Sequence, residues 1–553
     1  MKRDRGHRSE KVDAKRSGGG RGNADSRTAG KRSGTRHSDN RIAGKADRFD
    51  RRAPVGIGQT VICEIAGLTH EGEGVGRVGG FTLFVRGALP GERVLAEVVS
   101  VGKSFGRARM TELLAASADR RAAPCPIYET CGGCQLQHLD YAAQLQWKRR
   151  HVVDSLVRIG KLTVAGEERG RQAVRQAEET SEHEDKGAVD EARIKARLDF
   201  VLSARSQPVI VHPVIGMTDP WRYRNKAQVP IGSSVEAGLV GGFFEEGSHD
   251  IVDMDACLIQ QEENEQTIRA VKAAARELGV SAYDRLSGRG LLRHVIVRHA
   301  LATGQRMVVM VTNGHDIPHE AEWVQLIRER GPEVVSIVQN VNTGRTSAVF
   351  GDFTRTLWGE DFIYDEIDGI RFAISARSFF QVNPEQTEKL YRKAVEYAGL
   401  TGEETVIDAY CGIGTITLFL ARHARRVYGV EIVPEAIEDA RRNARMNGIE
   451  NAEFAVGRAE EVLPRWQRSG ILPDVIVVDP PRKGCDPALI ATMLELRPAR
   501  IVYVSCDPST LARDLRLLED GGYRTVEVQP VDMFSHTGHV ESIALLVPSD
   551  TEV

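Results

Sequence analysis

Five short apolar runs in the last third of the chain, each followed by a helix-forming stretch, leave few ways for that part to fold. They are Glu404-Thr-Val-Ile-Asp408, Arg426-Val-Tyr-Gly-Val-Glu431, Ala452-Glu-Phe-Ala455, Asp474-Val-Ile-Val-Val-Asp479 and Arg500-Ile-Val-Tyr-Val504. Runs this short are of strand length, and the helical segments between them predict parallel strands joined by crossover helices. The result is an α/β, Rossmann-like, doubly wound sheet, which collects ligands at the carboxyl ends of its strands. The first run enters a glycine loop, Asp408-Ala-Tyr-Cys-Gly-Ile-Gly414, where Gly412 and Gly414 allow a ligand close to the backbone. Glu431, ending the second run, can accept hydrogen bonds from ribose hydroxyls. Position 417 is Thr where a dinucleotide loop has its third glycine, so close pyrophosphate packing is not encoded. A ribose-bearing cofactor without pyrophosphate fits better, although sheets of this kind also serve other nucleotides.

S-adenosylmethionine has that shape, and Asp408-x-x-Cys-Gly-x-Gly414 resembles the first motif of S-adenosylmethionine-dependent methyltransferases. The fourth run ends in Asp479-Pro480-Pro481-Arg482, where amino-methyltransferases carry Pro-Pro followed by an aromatic that holds an exocyclic amine. Arg482 in the aromatic's place turns the expectation away from methylation at nitrogen. The fifth run leads into Ser505-Cys506-Asp507-Pro508, a thiol held where a strand stops and a proline-marked turn begins. Alone, such a cysteine reads as a packed core residue. Beside a cofactor loop it has a chemical use: C5 of uracil is a poor nucleophile until a thiolate adds at C6 and gives C5 enolate character. A carboxylate must then take the C5 proton before the thiol can leave. Glu541, in His536-Thr-Gly-His-Val-Glu541 ahead of a final apolar run, is the candidate. Cys411 has no assigned role, and Cys485, after Lys483-Gly484, competes as nucleophile without a matching base motif.

A chain of 553 residues needs several domains around this core. Residues 1–53 read as a disordered basic arm: the first 52 hold 17 Lys and Arg against 7 Asp and Glu, with too little apolar surface to fold. Such an arm adds salt-sensitive, sequence-blind attraction to phosphates. Residues 54–115 alternate β-rich runs with glycine turns and predict a small OB-like barrel. Within it, Gly72-Glu-Gly-Val-Gly-Arg-Val-Gly-Gly-Phe81 followed by Ala88-Leu-Pro-Gly-Glu-Arg-Val94 resembles the TRAM domain, an RNA-binding module.

Residues 116–375 predict a mixed α+β central domain, interrupted near 163–208 by a charged, solvated insertion. Cys131-x-x-Cys134, with Cys125 six residues earlier, suits a metal or an iron–sulfur cluster. Cys257 is the candidate fourth ligand, because Cys63, Cys411, Cys485 and Cys506 lie in other predicted contexts; spacing alone leaves zinc and iron–sulfur open. Pro220-Trp-Arg-Tyr-Arg-Asn-Lys226 mixes aromatics with cations, as surfaces that stack on bases and pair with phosphates do. Few cysteines for the length, no apolar run that could span a bilayer and no apolar leader predict a cytoplasmic protein with no membrane partner.

In combination, from about residue 54 to 548 and apart from the charged insertion, these motifs resemble the RNA 5-methyluridine methyltransferases, specifically the TRAM-bearing bacterial 23S ribosomal RNA (uracil-5-)-methyltransferases. The resemblance implies a methyltransferase domain over residues 376–553, with Cys506 as nucleophile and Glu541 as general base. It implies S-adenosylmethionine contacts from Gln381 (in Ser378-Phe-Phe-Gln381), Tyr410, Thr415, Glu431 and Asp479. Thr415 stands where some members carry Asn, and Arg458 departs from the polar amide or acid expected near the adenine. It also implies a [4Fe-4S] cluster on Cys125, Cys131, Cys134 and Cys257; since a methyl transfer has no redox partner chemistry, the expected role of the cluster is to brace the RNA-binding domain. The expected substrate is a uridine of 23S ribosomal RNA and the expected state a monomer. Two other readings stay open: a transfer-RNA T-loop uridine as target of the same chemistry, and a non-catalytic RNA-binding or ribosome-assembly protein on a vestigial methyltransferase fold.

Overall fold

The computed structural model describes residues 53–166, 207–236 and 238–551, so nearly all of the basic arm and most of the charged insertion lie outside the described residues. The strand Thr60–Leu68 alternates exposed and buried positions, because Val61, Cys63 and Ile65 point into a closed barrel. Its other strands are Gly74–Val78, Phe81–Arg86, Arg93–Val101 and Phe105–Ala115. Two motif glycines are there for contact. A Cβ on Gly76 would lie 2.2 Å from Cys63 Sγ, and one on Gly74 2.7 Å from the Ala88 carbonyl oxygen.

The central sheet runs in the order Phe353–Gly359, Val334–Val341, Arg306–Thr312, Leu292–His299, Lys226–Ser234, Gly238–Phe244, Ile251–Asp253. Arg306–Thr312 is buried at every position because both of its faces are covered. Val308 and Met310 pack with Ile268, Val271 and Trp323 from the helices Glu262–Glu277 and Glu320–Arg330. Met307, Val309 and Val311 face a second core, shared with the ribbon Phe362–Ile367 and Ile370–Ser375 and with the C-terminal sheet.

The C-terminal sheet runs Ala452–Val456, Arg426–Glu431, Thr405–Ala409, Val475–Val478, Arg500–Ser505, Glu541–Pro548, Tyr523–Val531, Ile210–Val211. The five strands expected from the sequence are mutually parallel, and Glu541–Pro548 is antiparallel to both neighbours. Chain order reverses between Thr405–Ala409 and Val475–Val478, the switch point where a doubly wound sheet opens a ligand crevice.

Ile407, Ile476, Ile501 and Tyr503 face a layer built from the helices Pro487–Leu496, Pro508–Asp520 and Tyr141–Arg158. The last of these differs from the sequence reading, which placed residues 116–375 together in a central domain. Val152, Val153 and Leu156 of Tyr141–Arg158 join the core of the C-terminal sheet, and Ile210–Val211 pairs with its edge strand. An apolar helix face and an unpaired strand edge found complements across a long insertion. Among the described residues no helix is long and apolar enough to cross a membrane.

Candidate active site

Two antiparallel neighbours deliver the thiol and the carboxylate singled out in the sequence. Arg500–Ser505 pairs with Glu541–Pro548 up to Ser505 opposite Ser542, and Cys506 and Glu541, each one residue beyond that pair, are close enough for the Glu541 charge to act on the thiol. Turn chemistry holds Cys506 there. Asp507 caps the helix Pro508–Asp520, its Oδ1 accepting the N–H of Ser509 (2.8 Å) and Thr510 (3.0 Å), with Pro508 in the first turn. The Ser505 hydroxyl donates to the Asp507 carbonyl at 3.1 Å. Cys506 is half-buried, whereas Glu541 is 4% exposed and is the first residue of its strand.

The charges around these strand ends act on one another. Burial pushes the Glu541 carboxyl up to about 8, Asp479 adds repulsion, and Arg482 opposes both. Burial raises Asp479 to about 6. The Cys506 thiol is pushed up to about 11 by burial, then by Glu541 and Asp479, with Arg482 pulling the other way. Arg482 is therefore the cation placed to stabilise a thiolate at position 506, and the resting thiol keeps its proton at neutral pH.

The glycine loop lies at the switch point. Tyr410 sits at φ 70°, uncommon for a residue with a side chain, and its N–H and that of Cys411 both donate to the Val430 carbonyl at 3.0 Å. Gly412 N–H donates to Glu431 Oε2 (3.3 Å) and Val433 N–H to Oε1 (3.0 Å), fixing the carboxylate at its strand end with lone pairs to spare. A Cβ on Gly412 would meet nothing within 4 Å, so the loop floor is open. Thr415 begins the helix Thr415–Ala421 and accepts the Tyr391 hydroxyl at 3.3 Å. Gln381 is buried, and its carbonyl accepts from Asn225 Nδ2 at 3.1 Å. Beneath the loop, burial raises Asp408 to about 7; one carboxyl oxygen takes the Thr417 hydroxyl at 2.5 Å and the other has no partner. An open floor, a fixed Glu431 and Asp479 at the fourth strand end fit a nucleoside cofactor. Arg458 instead lies largely exposed, 3.7 Å from Glu460.

Cys485, the competing nucleophile, is buried with its thiol pushed up to about 12, and lines a cavity of about 310 Å³ with Arg513 and Asp514. Cys411 is packed under Gly429. Cys125, Cys131 and Cys134, together with the distant Cys257, line one cavity of about 440 Å³ whose wall also includes Arg224, Lys226, Arg482 and His539. Burial pushes Cys134 up to about 12 and Cys257 to about 11, and neighbouring thiolates add to both. Among the described residues no three His, Cys, Asp or Glu side chains are grouped to hold a metal ion.

How the Glu541 loop is held was not read from the sequence. Asp532 is 0% exposed and pairs at 2.5 Å with Lys148, likewise 0% exposed, from the helix Tyr141–Arg158. It also accepts the hydroxyls of Tyr141 (2.6 Å) and Ser535 (2.7 Å), while Lys148 donates to the Phe534 carbonyl (2.9 Å). The available signal was a lysine four residues before Val152 on the helix's apolar face. Pro220–Lys226, expected to stack on bases, is used internally. Trp221 stacks on His536 with centroids 3.7 Å apart, Tyr223 donates to the Ser535 carbonyl at 3.0 Å, and Arg222 pairs with Glu265. An aromatic and cationic mix at a junction has the same local signature as one facing RNA.

A model of the tRNA (uracil-5-)-methyltransferase family matches residues 359–548, and a TRAM domain model matches residues 54–111. The chain is 54% identical over 496 residues to a protein of Halalkalibacterium halodurans described as an uncharacterized RNA methyltransferase, spanning 90% of this chain and 98% of that one. A Bacillus cereus protein of the same description is 51% identical over 479 residues, 87% of this chain and 95% of its own. Among solved structures, the tRNA (uracil-54, C5)-methyltransferase of Pyrococcus abyssi in complex with S-adenosyl-L-homocysteine matches with a TM-score of 0.64 and 28% identity. That match covers 88% of this chain and 100% of the other.

Proposed function

The chain belongs to the S-adenosylmethionine-dependent RNA (uracil-5-)-methyltransferase family, and from that premise we propose that it methylates C5 of a uridine in 23S ribosomal RNA through a covalent Cys506 adduct. The observation that carries the mechanism is the convergence of Cys506 and Glu541 at the ends of paired strands, with Arg482 close enough to act on the charge of both. S-adenosylmethionine, held by Gln381, Tyr410, Thr415, Glu431 and Asp479, supplies an electrophilic methyl group on a sulfonium. Cys506, once its thiol proton has passed to solvent, adds as thiolate to C6; the displaced π electrons make C5 nucleophilic enough to take the methyl, whose carbon–sulfur bond breaks with its electron pair left on the sulfide of S-adenosylhomocysteine. Glu541, as carboxylate, then takes the C5 proton; the C5–C6 double bond re-forms and Cys506 leaves with its electron pair.

From the cysteine motif we propose a [4Fe-4S] cluster: all four cysteines are among the residues that line one cavity, although among the described residues they are not grouped as metal ligands. Cys125, Cys131, Cys134 and Cys257 would hold it and join the cysteine segment to the central sheet.

The TRAM barrel combined with the cysteine motif favours ribosomal RNA. A second target, a transfer-RNA uridine, is favoured by the likeness to the Pyrococcus abyssi enzyme, named for tRNA uracil-54. Unmodified 23S ribosomal RNA and transfer-RNA transcripts, incubated with labelled S-adenosylmethionine and mapped by mass spectrometry, separate the two. Product on transfer RNA alone overturns the ribosomal target. Turnover retained by Cys506→Ala overturns the mechanism.

A further inference from the structure

Three rings from two elements line up beside the candidate active site. Trp147 and His151 lie four residues apart on the helix Tyr141–Arg158, with centroids 5.9 Å apart and planes within 7°. His70, in the turn after the barrel strand Thr60–Leu68, extends the column at 6.4 Å and 18° from His151. The Trp147 end is anchored against Leu89, Leu136 and Leu139. The His70 end is open, its side chain 70% exposed, with the Glu71 carboxylate at 3.9 Å, too far for a hydrogen bond.

The column adjoins the loop that carries Glu541. A Cβ on Gly538 would lie 2.2 Å from the His70 carbonyl oxygen and 3.7 Å from Trp147 Cη2, so glycine lets the barrel turn and the helix meet this loop. Asp507, the residue after Cys506, is close enough to act on the charge of both His151 and His539. A flat aromatic column thus runs from the barrel surface towards the segment that carries the nucleophile.

An enzyme that works on a base must take it out of its stack, which leaves the flanking bases without their neighbour. Unpaired bases stack on aromatic faces irrespective of sequence. Resting on the reading that this chain takes RNA, we propose that His70, His151 and Trp147 form a stacking platform for an unpaired nucleobase flanking the target uridine. The ligand is the π face of a base.

The test uses the full chain without S-adenosylmethionine and two RNA decamers. One has a central uridine among adenosines; the other replaces the nucleotides on both sides of the uridine by abasic ribose. Binding is read by fluorescence anisotropy at fixed salt. Wild type should bind the abasic decamer more weakly by about 5-fold or more, the lower bound for one lost stacked base. His70→Ala, at an exposed position, and His151→Ala should bind the two decamers within about 2-fold of each other, and His70→Tyr, which keeps a ring, should restore the difference. Loss of the difference in either alanine variant assigns the base to that ring. A difference retained in both, or absent from wild type, overturns the platform. The assay needs no methyl transfer: stacking without 5-methyluridine would fail the functional reading alone, and 5-methyluridine without an abasic penalty would fail the platform alone.

Discussion

Glu541→Gln should make the C-terminal sheet more stable at neutral pH while abolishing turnover. In the folded site burial and Asp479 push this carboxyl up to about 8 from its ordinary 4.5. The folded chain therefore keeps a proton that the unfolded chain has released. Its stability contribution is intact below about pH 4.5 and is lost as pH climbs towards 8. Each unit in that window amounts to about 1.4 kcal/mol, or about 3 kcal/mol by pH 7. Asp479 shares part of the repulsion, so about 2–3 kcal/mol at pH 7 is expected from this replacement. Glutamine keeps the shape and never ionises. Hydrogen exchange in urea, followed by mass spectrometry on peptides covering Arg500–Ser505 and Glu541–Pro548, reads this sheet's own opening, as a chain of several domains requires. The gap between variant and wild type should be near zero at pH 4.5 and widen to pH 7. A gap that does not change with pH, or a variant less stable at pH 7, refutes the reasoning.

The single-turnover rate at which the methylated Cys506 adduct breaks down should rise with pH through about 8 as Glu541 loses its proton; a flat profile for that step excludes it as the base. Lys148→Met leaves Asp532 charged and unpaired at 0% exposure and should cost about 3–5 kcal/mol, seen as a lower Tm by calorimetry. Gly76→Ala forces a Cβ against Cys63 Sγ and should destabilise the barrel by about 1–3 kcal/mol, weakening RNA binding but not S-adenosylmethionine binding by titration calorimetry. Deleting residues 1–52 should flatten the fall of log K with log salt for RNA, since 17 cations against 7 anions are removed.

The catalytic half was readable because parallel strands covered on both faces are continuous apolar runs, and because Gly412, Gly414 and the Asp507-Pro508 cap act within a few residues of themselves. Cys506 and Glu541 could be named as candidates from their positions at strand ends. Their neighbours could not: Lys148 and Asp532 are 384 residues apart, and nothing in either segment announces the other. Pro220–Lys226 has the same limit, since composition does not say that Trp221 stacks on the His536 loop. Tyr141–Arg158 packs on the C-terminal sheet and not in the central domain, and its sequence is silent on this because an apolar stripe specifies burial without specifying the partner.

By itself the amino-acid order determined where strands start and stop, which turns end them and which reactive groups those turns carry, all of which depend on near neighbours. Only the tertiary structure decided that Cys506 and Glu541 converge at the ends of paired strands, that Cys257 joins Cys125, Cys131 and Cys134 on the wall of one cavity, and that a carboxyl of ordinary 4.5 holds its proton to about 8. Register, convergence and burial arise from contacts between distant segments, and proton affinity follows the water those contacts exclude.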